Sequence, residues 1–375
     1  MFDSSLKYKI GIGLIPGIGP VNAKNLIAYV GSIEGVFKES KNKLVKIPSI
    51  GEFTANQIIQ NKNVLETAEK EIEYIKKHKI ETFFFLDNDY PELLKQVSDA
   101  PILFYSKGNI NFNERKIISI VGTRNATSEG RENCEKLISD FSSSKHNPII
   151  VSGLAYGVDI CAHKSALKNN LETIAVLGHG LDRIYPAVHS STAQEIVEQG
   201  SLITEFMSKS PFERQNFLRR NRIIAGIAHA TVVVESAEKG GSLVTADIAN
   251  SYNRDVFAFP GRISDKYSAG CNILIKTNKA VLIESIKDIE YLLGWEQISQ
   301  KKQQRQLFVE LNDEEKVIGK ILINEKIASI DFICENSGFH QGKTATVLLN
   351  LEFKGIVRTM PGKRYELTGD IAGLV

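Results

Sequence analysis

The sequence predicts an α/β protein: a Rossmann-like, doubly wound, mostly parallel sheet, with an N-terminal all-helical module and a C-terminal winged-helix-like module. Three observations predict it. Residues 116–285 alternate short β-branched apolar runs with helix-length segments; an Ile-Pro-x-Ile-Gly sequence near the amino terminus returns after 32 residues; and the last sixty or so residues close on helix-period segments followed by a hairpin pattern.

The repeat comes first along the chain. Ile15-Pro16-Gly17-Ile18-Gly19 with Ala23 downstream reappears as Ile47-Pro48-Ser49-Ile50-Gly51 with Ala55. Ala23, Leu26, Ile27 and Val30 follow the first turn at helix spacing, so residues 1–75 read as a small helical module of two similar hairpins. The repeats look like helix-hairpin-helix motifs, whose Gly-x-Gly turn offers backbone amides to a DNA phosphate. Gly17-x-Gly19 keeps that turn, whereas Ser49 replaces the first glycine of the second and favours a packing role there. Lys24 is the nearest basic residue downstream, so direct DNA binding and plain packing stand level for this module.

The central domain, residues 80–292, reads as seven strands: Ile117–Val121, Pro148–Val151, Thr173–Leu177, Ser201–Thr204, Thr231–Val234, Val256–Phe259 and Ala280–Ile283. They are apolar on both faces, as strands covered by helices on two sides must be. Residues 296–306 (Glu-Gln-Ile-Ser-Gln-Lys-Lys-Gln-Gln-Arg-Gln) are polar without an apolar face and read as a linker. Within residues 307–375, three helix-like segments, the third from Gln341 to Phe353, precede Ile356–Thr359, Pro361-Gly362 and Arg364–Leu367, giving the winged-helix outline.

Composition bounds the chemistry. Of 375 residues 42% are hydrophobic and 24% charged, with a formal net charge of +2, so a polyanion site must come from local clustering. Cys134, Cys161, Cys271 and Cys334 are far apart and have no His at ligand spacing, so no metal is expected. The start of the chain lacks signal-peptide character, and no apolar stretch approaches the roughly 18 residues of a membrane span. A reducing, cytoplasmic protein with no membrane association is expected.

Glycine-bearing turns end several strands: Val121-Gly122-Thr123-Arg124, the run Val151-Ser152-Gly153-Leu154-Ala155-Tyr156-Gly157-Val158-Asp159, Gly178-His179-Gly180, and Gly240-Gly241-Ser242 with Thr245 one turn on. At the carboxyl edge of a parallel sheet such turns meet helix amino termini and make a rim suited to phosphate, although any one glycine alone serves a tight turn equally well. Residues 209–222 add Lys209, Arg214, Arg219, Arg220 and Arg222 against the single acid Glu213, five positive and one negative, or +4, with Phe212 and Phe217 interleaved. Guanidinium groups beside stacking surfaces suit unpaired nucleotides; the alternative is a solvated helix face over two core phenylalanines. Ser152 reads as a phosphate or backbone contact, since no G-x-S-x-G elbow and no His–Asp pair support a nucleophile. His163 and His229 read as surface or interior helix residues, His179 as a possible ligand contact, and Asp159 and Asp182 as capping or loop-fixing groups as readily as acids.

Taken together, Val-Gly-Thr-Arg (121–124), Ser-Gly-Leu-Ala-Tyr-Gly-Val-Asp (152–159), Leu-Gly-His-Gly-Leu-Asp-Arg-Ile-Tyr-Pro (177–186), Thr-Glu-Phe (204–206), Arg-Arg-Asn-Arg-Ile-Ile-Ala-Gly (219–226), Val-Val-Val-Glu-Ser (232–236), Gly-Gly-Ser-Leu-Val-Thr-Ala (240–246) and Phe-Ala-Phe-Pro-Gly (257–261) resemble the ordered motifs of the DNA processing protein A (DprA/Smf) family. The resemblance spans most of residues 80–290. It implies binding of single-stranded DNA, protection of incoming strands in natural transformation, delivery to a RecA-type recombinase, and homodimers, with no cofactor and no catalysis. It assigns DNA contact to Gly122, Thr123 and Arg124, to Arg219, Asn221 and Arg222, and to Lys209 and Phe212; Ser152, Gly153, Gly240, Gly241 and Ser242 join them from the glycine rim. Gly-Gly-Ser at 240–242 and Thr-Arg at 123–124 depart from the Ser-Gly-Ser and Ser-Arg common in the family.

Two enzyme classes compete. Phosphoribohydrolases of the lysine-decarboxylase-like group share this Rossmann variant, but aligning their Pro-Gly-Gly-x-Gly-Thr-x-x-Glu motif on Gly240-Gly241 sets Leu243, Val244 and Ala246 or Asp247 where Gly, Thr and Glu belong. A dinucleotide oxidoreductase lacks its G-x-G-x-x-G after the first strand. Lys343, Lys354, Lys363 and Arg364 leave the winged-helix-like module open to duplex DNA or to proteins. The segment after Gly261, through Asn272 and Leu274, is the expected dimer surface.

Overall fold

A computed structural model describes residues 4–295 and 311–368, which fall in two compact units divided between Trp295 and Glu296. The expected linker 296–306 lies outside the described residues, as do 307–310 and 369–375.

The first unit opens with six helices, α1 (Leu6–Ile12), α2 (Pro20–Val30), α3 (Ile33–Lys38), α4 (Lys41–Leu44), α5 (Glu52–Gln60) and α6 (Val64–His78). Both repeat turns are present, with Gly17 at φ +80° and Ser49 at φ +67°. A serine in the left-handed region is strained. Its hydroxyl lies 3.3 Å from both Asn22 Oδ1 and Asn25 Nδ2, donating to the first and accepting from the second, so Ser49 pins the second repeat to α2.

The sheet has nine strands in the order β1-β2-β6-β5-β4-β3-β7-β8-β9. In chain order these and their helices are β1 (Glu81–Phe84), α7 (Glu92–Lys95), β2 (Leu103–Gly108), β3 (Ile117–Val121), α8 (Ser128–Ser143), β4 (Ile149–Ser152), α9 (Val158–Lys168), β5 (Thr173–Val176), α10 (Ser190–Gln199), β6 (Ser201–Thr204), α11 (Arg214–Ile227), β7 (Ala230–Val233), α12 (Gly241–Ser251), β8 (Asp255–Ala258), α13 (Ala269–Lys276), β9 (Val281–Leu282) and α14 (Ile286–Leu292). The seven strands read from the sequence are all present and parallel, for example Ile118 opposite Ala230 and Val151 opposite Ile174.

Two strands were not foreseen. β1 and β2 pair antiparallel and extend the sheet beyond β6, Tyr105 lying opposite Thr204. Their run Phe83-Phe84-Phe85 shows no polar alternation because both of its faces are covered. Phe83 and Phe104 enter the main α/β core, whereas Phe84, Leu103 and Tyr105 join the core of the helical module. The same alternation works in β3: Ile117 and Val121 pack with α11, α12 and α13, and Ile118 and Ile120 with α8 and α9.

The second unit contains α15 (Asp313–Glu325), β10 (Ile327–Ser329), α16 (Ile330–Ser337), α17 (Gln341–Phe353), β11 (Val357–Met360) and β12 (Arg364–Leu367), with antiparallel strand order β10-β12-β11. Ile318, Leu322, Ile333, Leu348 and Leu351 form its core. Asn312 and Glu315 cap α15 reciprocally, and the buried Glu315 carboxylate receives Lys354 Nζ at 2.6 Å.

Candidate nucleic-acid interface

The carboxyl ends of β3, β4, β5, β6 and β7 lie side by side, so their five following turns form one edge. A parallel sheet with helices on both faces leaves that edge uncovered, which is why loop residues there are free to meet a ligand.

The turn after β3 is pinned by backbone bonds on two sides. Thr123 N–H donates to the Glu235 carbonyl at 2.8 Å, and Val158 N–H donates to the Thr123 carbonyl at 3.1 Å. Arg124 follows immediately and is exposed. Beneath it the turn after β4 is packed on a buried guanidinium. Arg220 of α11 donates through Nη1 to the Gly153 carbonyl at 2.7 Å and to the Val176 carbonyl, and a Cβ at Gly153 would come within 2.1 Å of that Nη1. Asp159 is buried beside it, accepting from Ala155 N–H at 3.4 Å. Burial pushes the Asp159 carboxyl up, against the opposing pull of Arg220, and burial lowers Arg220 to about 10.

Helix α11 separates its cations by face. Asn216, Arg220, Ile223, Ile224 and Ile227 point inward at spacings of three and four, leaving Arg214 and Arg219 outward. Arg219 is 57% exposed, 3.7 Å from Glu205, with its guanidinium 5.3 Å from the centroid of the Phe206 ring. Arg222 is instead largely buried, bound to the Glu205 carboxylate and the Asp99 carbonyl. Lys209, at φ +59°, is exposed on the loop after β6. That loop is held from the helical module: the buried Glu71 of α6 accepts from Ser208 N–H at 2.9 Å and from Ser208 Oγ at 2.5 Å.

Aromatic rings gather on the same edge. Phe212 packs against Tyr185 (4.8 Å between centroids) and Phe217 (5.4 Å), with His179 behind at 6.0 Å. Phe212 and Tyr185 remain 45% and 47% exposed.

The structure thus brings Gly122, Thr123, Arg124, Lys209, Phe212 and Arg219 to one edge. Ser152 lies below it, wholly buried, its hydroxyl donating to the Ile120 carbonyl at 2.6 Å. Gly153 and Asn221 are buried. At the turn after β7, Gly241 is open, while the buried Ser242 donates its hydroxyl to Ser236 Oγ at 2.9 Å. Lys24, the cation nearest the first repeat turn, is spent on packing, with its ammonium donating to the Val97 and Ser98 carbonyls at 3.1 and 3.0 Å. Asn272 and Leu274 face inward: Asn272 bonds both backbone groups of Gly261, and Leu274 is buried.

The rings of His163, His179 and His229 are each bonded to groups of the fold. His163 is buried with Nδ1 2.8 Å from Thr173 Oγ1, and burial lowers it to about 3. His179 Nδ1 lies 2.9 Å from the Gly180 carbonyl, and His229 Nδ1 accepts Ile117 N–H at 3.1 Å. Asp182 holds Arg183 at 2.9 Å in a loop-fixing pair. Asp247, which falls on the Glu position when the phosphoribohydrolase motif is aligned on Gly240-Gly241, is paired with Lys279 at 2.8 Å. Sequence reading overlooked Tyr185 and Glu71. The Ile-Tyr-Pro run was a usable signal for the first, whereas nothing local marks Glu71, whose partner lies 137 positions away.

Comparison with known proteins sets this geometry in context. Residues 81–294 match the family described as DNA recombination-mediator protein A, and residues 13–61 match a SAM-like helix-hairpin-helix tandem. Protein Smf of Synechocystis sp. is 31% identical over 402 aligned positions, covering 98% of this chain and 100% of that one. The X-ray structure of DNA processing protein A (DprA) from Streptococcus pneumoniae superposes with a TM-score of 0.65 at 30% identity, over 78% of this chain and 98% of the other. A DNA processing protein A structure from Helicobacter pylori, described for its single-stranded DNA binding mode, gives a TM-score of 0.52 at 27% identity, over 58% and 96%.

Proposed function

Because this chain belongs to the DNA recombination-mediator protein A family, we propose that it binds single-stranded DNA along the carboxyl edge of its sheet and passes the strand to a RecA-type recombinase, protecting incoming DNA in natural transformation. One observation carries the reading: the exposed cations Arg124, Lys209, Arg214 and Arg219 lie on the same sheet edge as the half-exposed rings of Phe212 and Tyr185. Phosphates neutralised by guanidinium and ammonium groups, with unpaired bases on π-faces, need no sequence code and no catalytic group. The described single-strand binding of the Helicobacter pylori relative supports the same assignment.

Arg124, Lys209, Phe212 and Arg219 are the contacts we assign to the strand; Gly122 and Thr123 shape the edge, and Gly240 and Gly241 present backbone. Ser152, Gly153, Asn221, Arg222 and Ser242 act by holding that edge in place. The chain acts as a homodimer through the surface beside residues 261–274, where Ile263 and Ile273 are the outward apolar side chains. Recombinase delivery then follows from a mediator that exposes the strand along an open edge instead of enclosing it.

Fluorescence anisotropy of labelled oligo-dT and a matched duplex, across a salt series, tests the reading. Salt-sensitive preference for the single strand is expected; equal affinity for both, or no binding at low salt, discards it. Nucleation of a RecA-type filament on pre-bound strand, faster with the protein than without, tests the mediator step.

A further inference from the structure

The turn after β4 raises one more aromatic ring into the same edge. Gly157, at φ +78°, sits directly against the preceding turn, where an added Cβ would come within 2.1 Å of the Thr123 carbonyl oxygen and 2.5 Å of the Arg124 carbonyl carbon. The residue before it, Tyr156, therefore lies on a turn whose backbone abuts the Thr123-Arg124 turn. Its ring is 49% exposed, and its hydroxyl makes no hydrogen bond among the described residues. One side of the ring is braced by His189, 5.1 Å away and edge-on at 66°. His189 is itself buried, with Nδ1 2.9 Å from the Leu154 carbonyl, so the brace is fixed to the turn that it supports.

Single exposed aromatics are ordinary on protein surfaces. Tyr156 differs in its setting. Residues 177–189 form one loop: Tyr185 meets Phe212 towards β6, and His189 meets Tyr156 above β4. β4 and β6 flank β5 in the sheet, so the turns that carry the two ring groups leave the sheet about 10 Å apart at the usual strand spacing. Turns so spaced can receive successive nucleotides of an unpaired strand, and the exposed Arg124, on the turn that Gly157 abuts, offers a cation to a phosphate there.

We infer that Tyr156 is a stacking platform for an unpaired base, acting with Arg124 as a second nucleotide position beyond Phe212 and Tyr185. The inference rests on the single-strand reading above and adds to it a residue that discriminates strand from duplex, because a paired and stacked base has no free face to offer.

Binding of oligo-dT and of an abasic sugar–phosphate oligomer by the full chain tests it. Tyr156→Ala should bind oligo-dT roughly 5- to 100-fold more weakly, the range expected for loss of one base stack, with an unchanged salt slope and unchanged binding of the abasic oligomer. Tyr156→Phe should behave as the parent. Tyr156→Trp provides a second readout, since Trp295 is the only native tryptophan and is buried: the introduced indole should be quenched along the binding isotherm. Parental affinity in Tyr156→Ala, or no quenching in Tyr156→Trp while anisotropy reports binding, overturns the platform. If Arg124→Ala is weakened in the same series, the edge site survives that failure; if the parent protein does not bind oligo-dT at all, both readings fall.

Discussion

Arginines of one helix divide into two classes by what surrounds them. Arg219 reaches solvent, whereas Arg220 and Arg222 are consumed by carbonyls and carboxylates of the fold. Arg124→Ala and Arg219→Ala should each weaken oligo-dT binding and lower its salt slope by about one, since each removes one phosphate contact. Arg220→Met should instead lose on the order of 3–5 kcal/mol of stability in urea denaturation, because it strips the buried Gly153 and Val176 carbonyls of their donor and the buried Asp159 of the opposite charge near it. A folded Arg220→Met protein of parental stability refutes that division. His163 supplies a pH test. Its folded value of about 3 lies below the ordinary 6.5, so the unfolded chain binds the proton first as pH falls. Its contribution to stability is therefore complete above pH 6.5 and is lost as pH falls from there towards 3, at up to about 1.4 kcal/mol per unit. Urea midpoints at pH 7 and pH 5 should separate less in His163→Phe than in the parent; an equal separation would assign the acid sensitivity elsewhere.

Between elements, the helical module does more than decorate the sheet. Glu71 on α6 holds Ser208, one residue before the exposed Lys209, and Lys24 on α2 bonds the carbonyls of Val97 and Ser98. Glu71→Ala frees the loop that presents Lys209 and Phe212 without removing a cation. Affinity for oligo-dT should fall several-fold while the salt slope stays that of the parent; a reduced slope would mean that the loop's charge, not its order, had been lost. In the second unit, Lys343 pairs with Glu314 at 2.7 Å and Lys354 with Glu315 at 2.6 Å. The exposed positions of α17 are Gln341, Gly342, Ala345, Thr346, Leu349, Asn350 and Phe353, none of them a cation. Lys363, in the turn between β11 and β12, and Arg364, which opens β12, are exposed cations at the hairpin of this unit.

For the whole molecule, charge is local and assembly is the open variable. A net charge of +2 steers little, so the edge cations alone should account for the salt dependence of binding. Ile263 is 98% exposed and Ile273 40% exposed, apolar side chains that a monomer gains nothing by showing to water. Ile263→Glu should shift sedimentation equilibrium from dimer to monomer, and a dimer unchanged by it would move the interface elsewhere.

Strand positions, the helical repeat, helix α17 and the location of the glycine turns were all legible in the sequence, because each is set by short-range periodicity or by a local backbone requirement. The motifs also pointed to Gly122, Thr123, Arg124, Lys209, Phe212 and Arg219 as one edge, since a parallel sheet necessarily gathers its carboxyl turns together. β1 and β2 escaped notice because their alternate side chains feed two different cores, which erases the polar–apolar alternation that would mark an exposed pair. Burial was the second thing hidden. Ser152, Asn221, Arg220 and Arg222 belong to the same polar motifs as their exposed neighbours, and only packing separates residues that can meet a ligand from those that hold the turns. Composition and spacing determined which chemical groups reach the edge of this sheet; the tertiary structure decided which remain free there, because burial and hydrogen-bond partners come from residues distant in the chain.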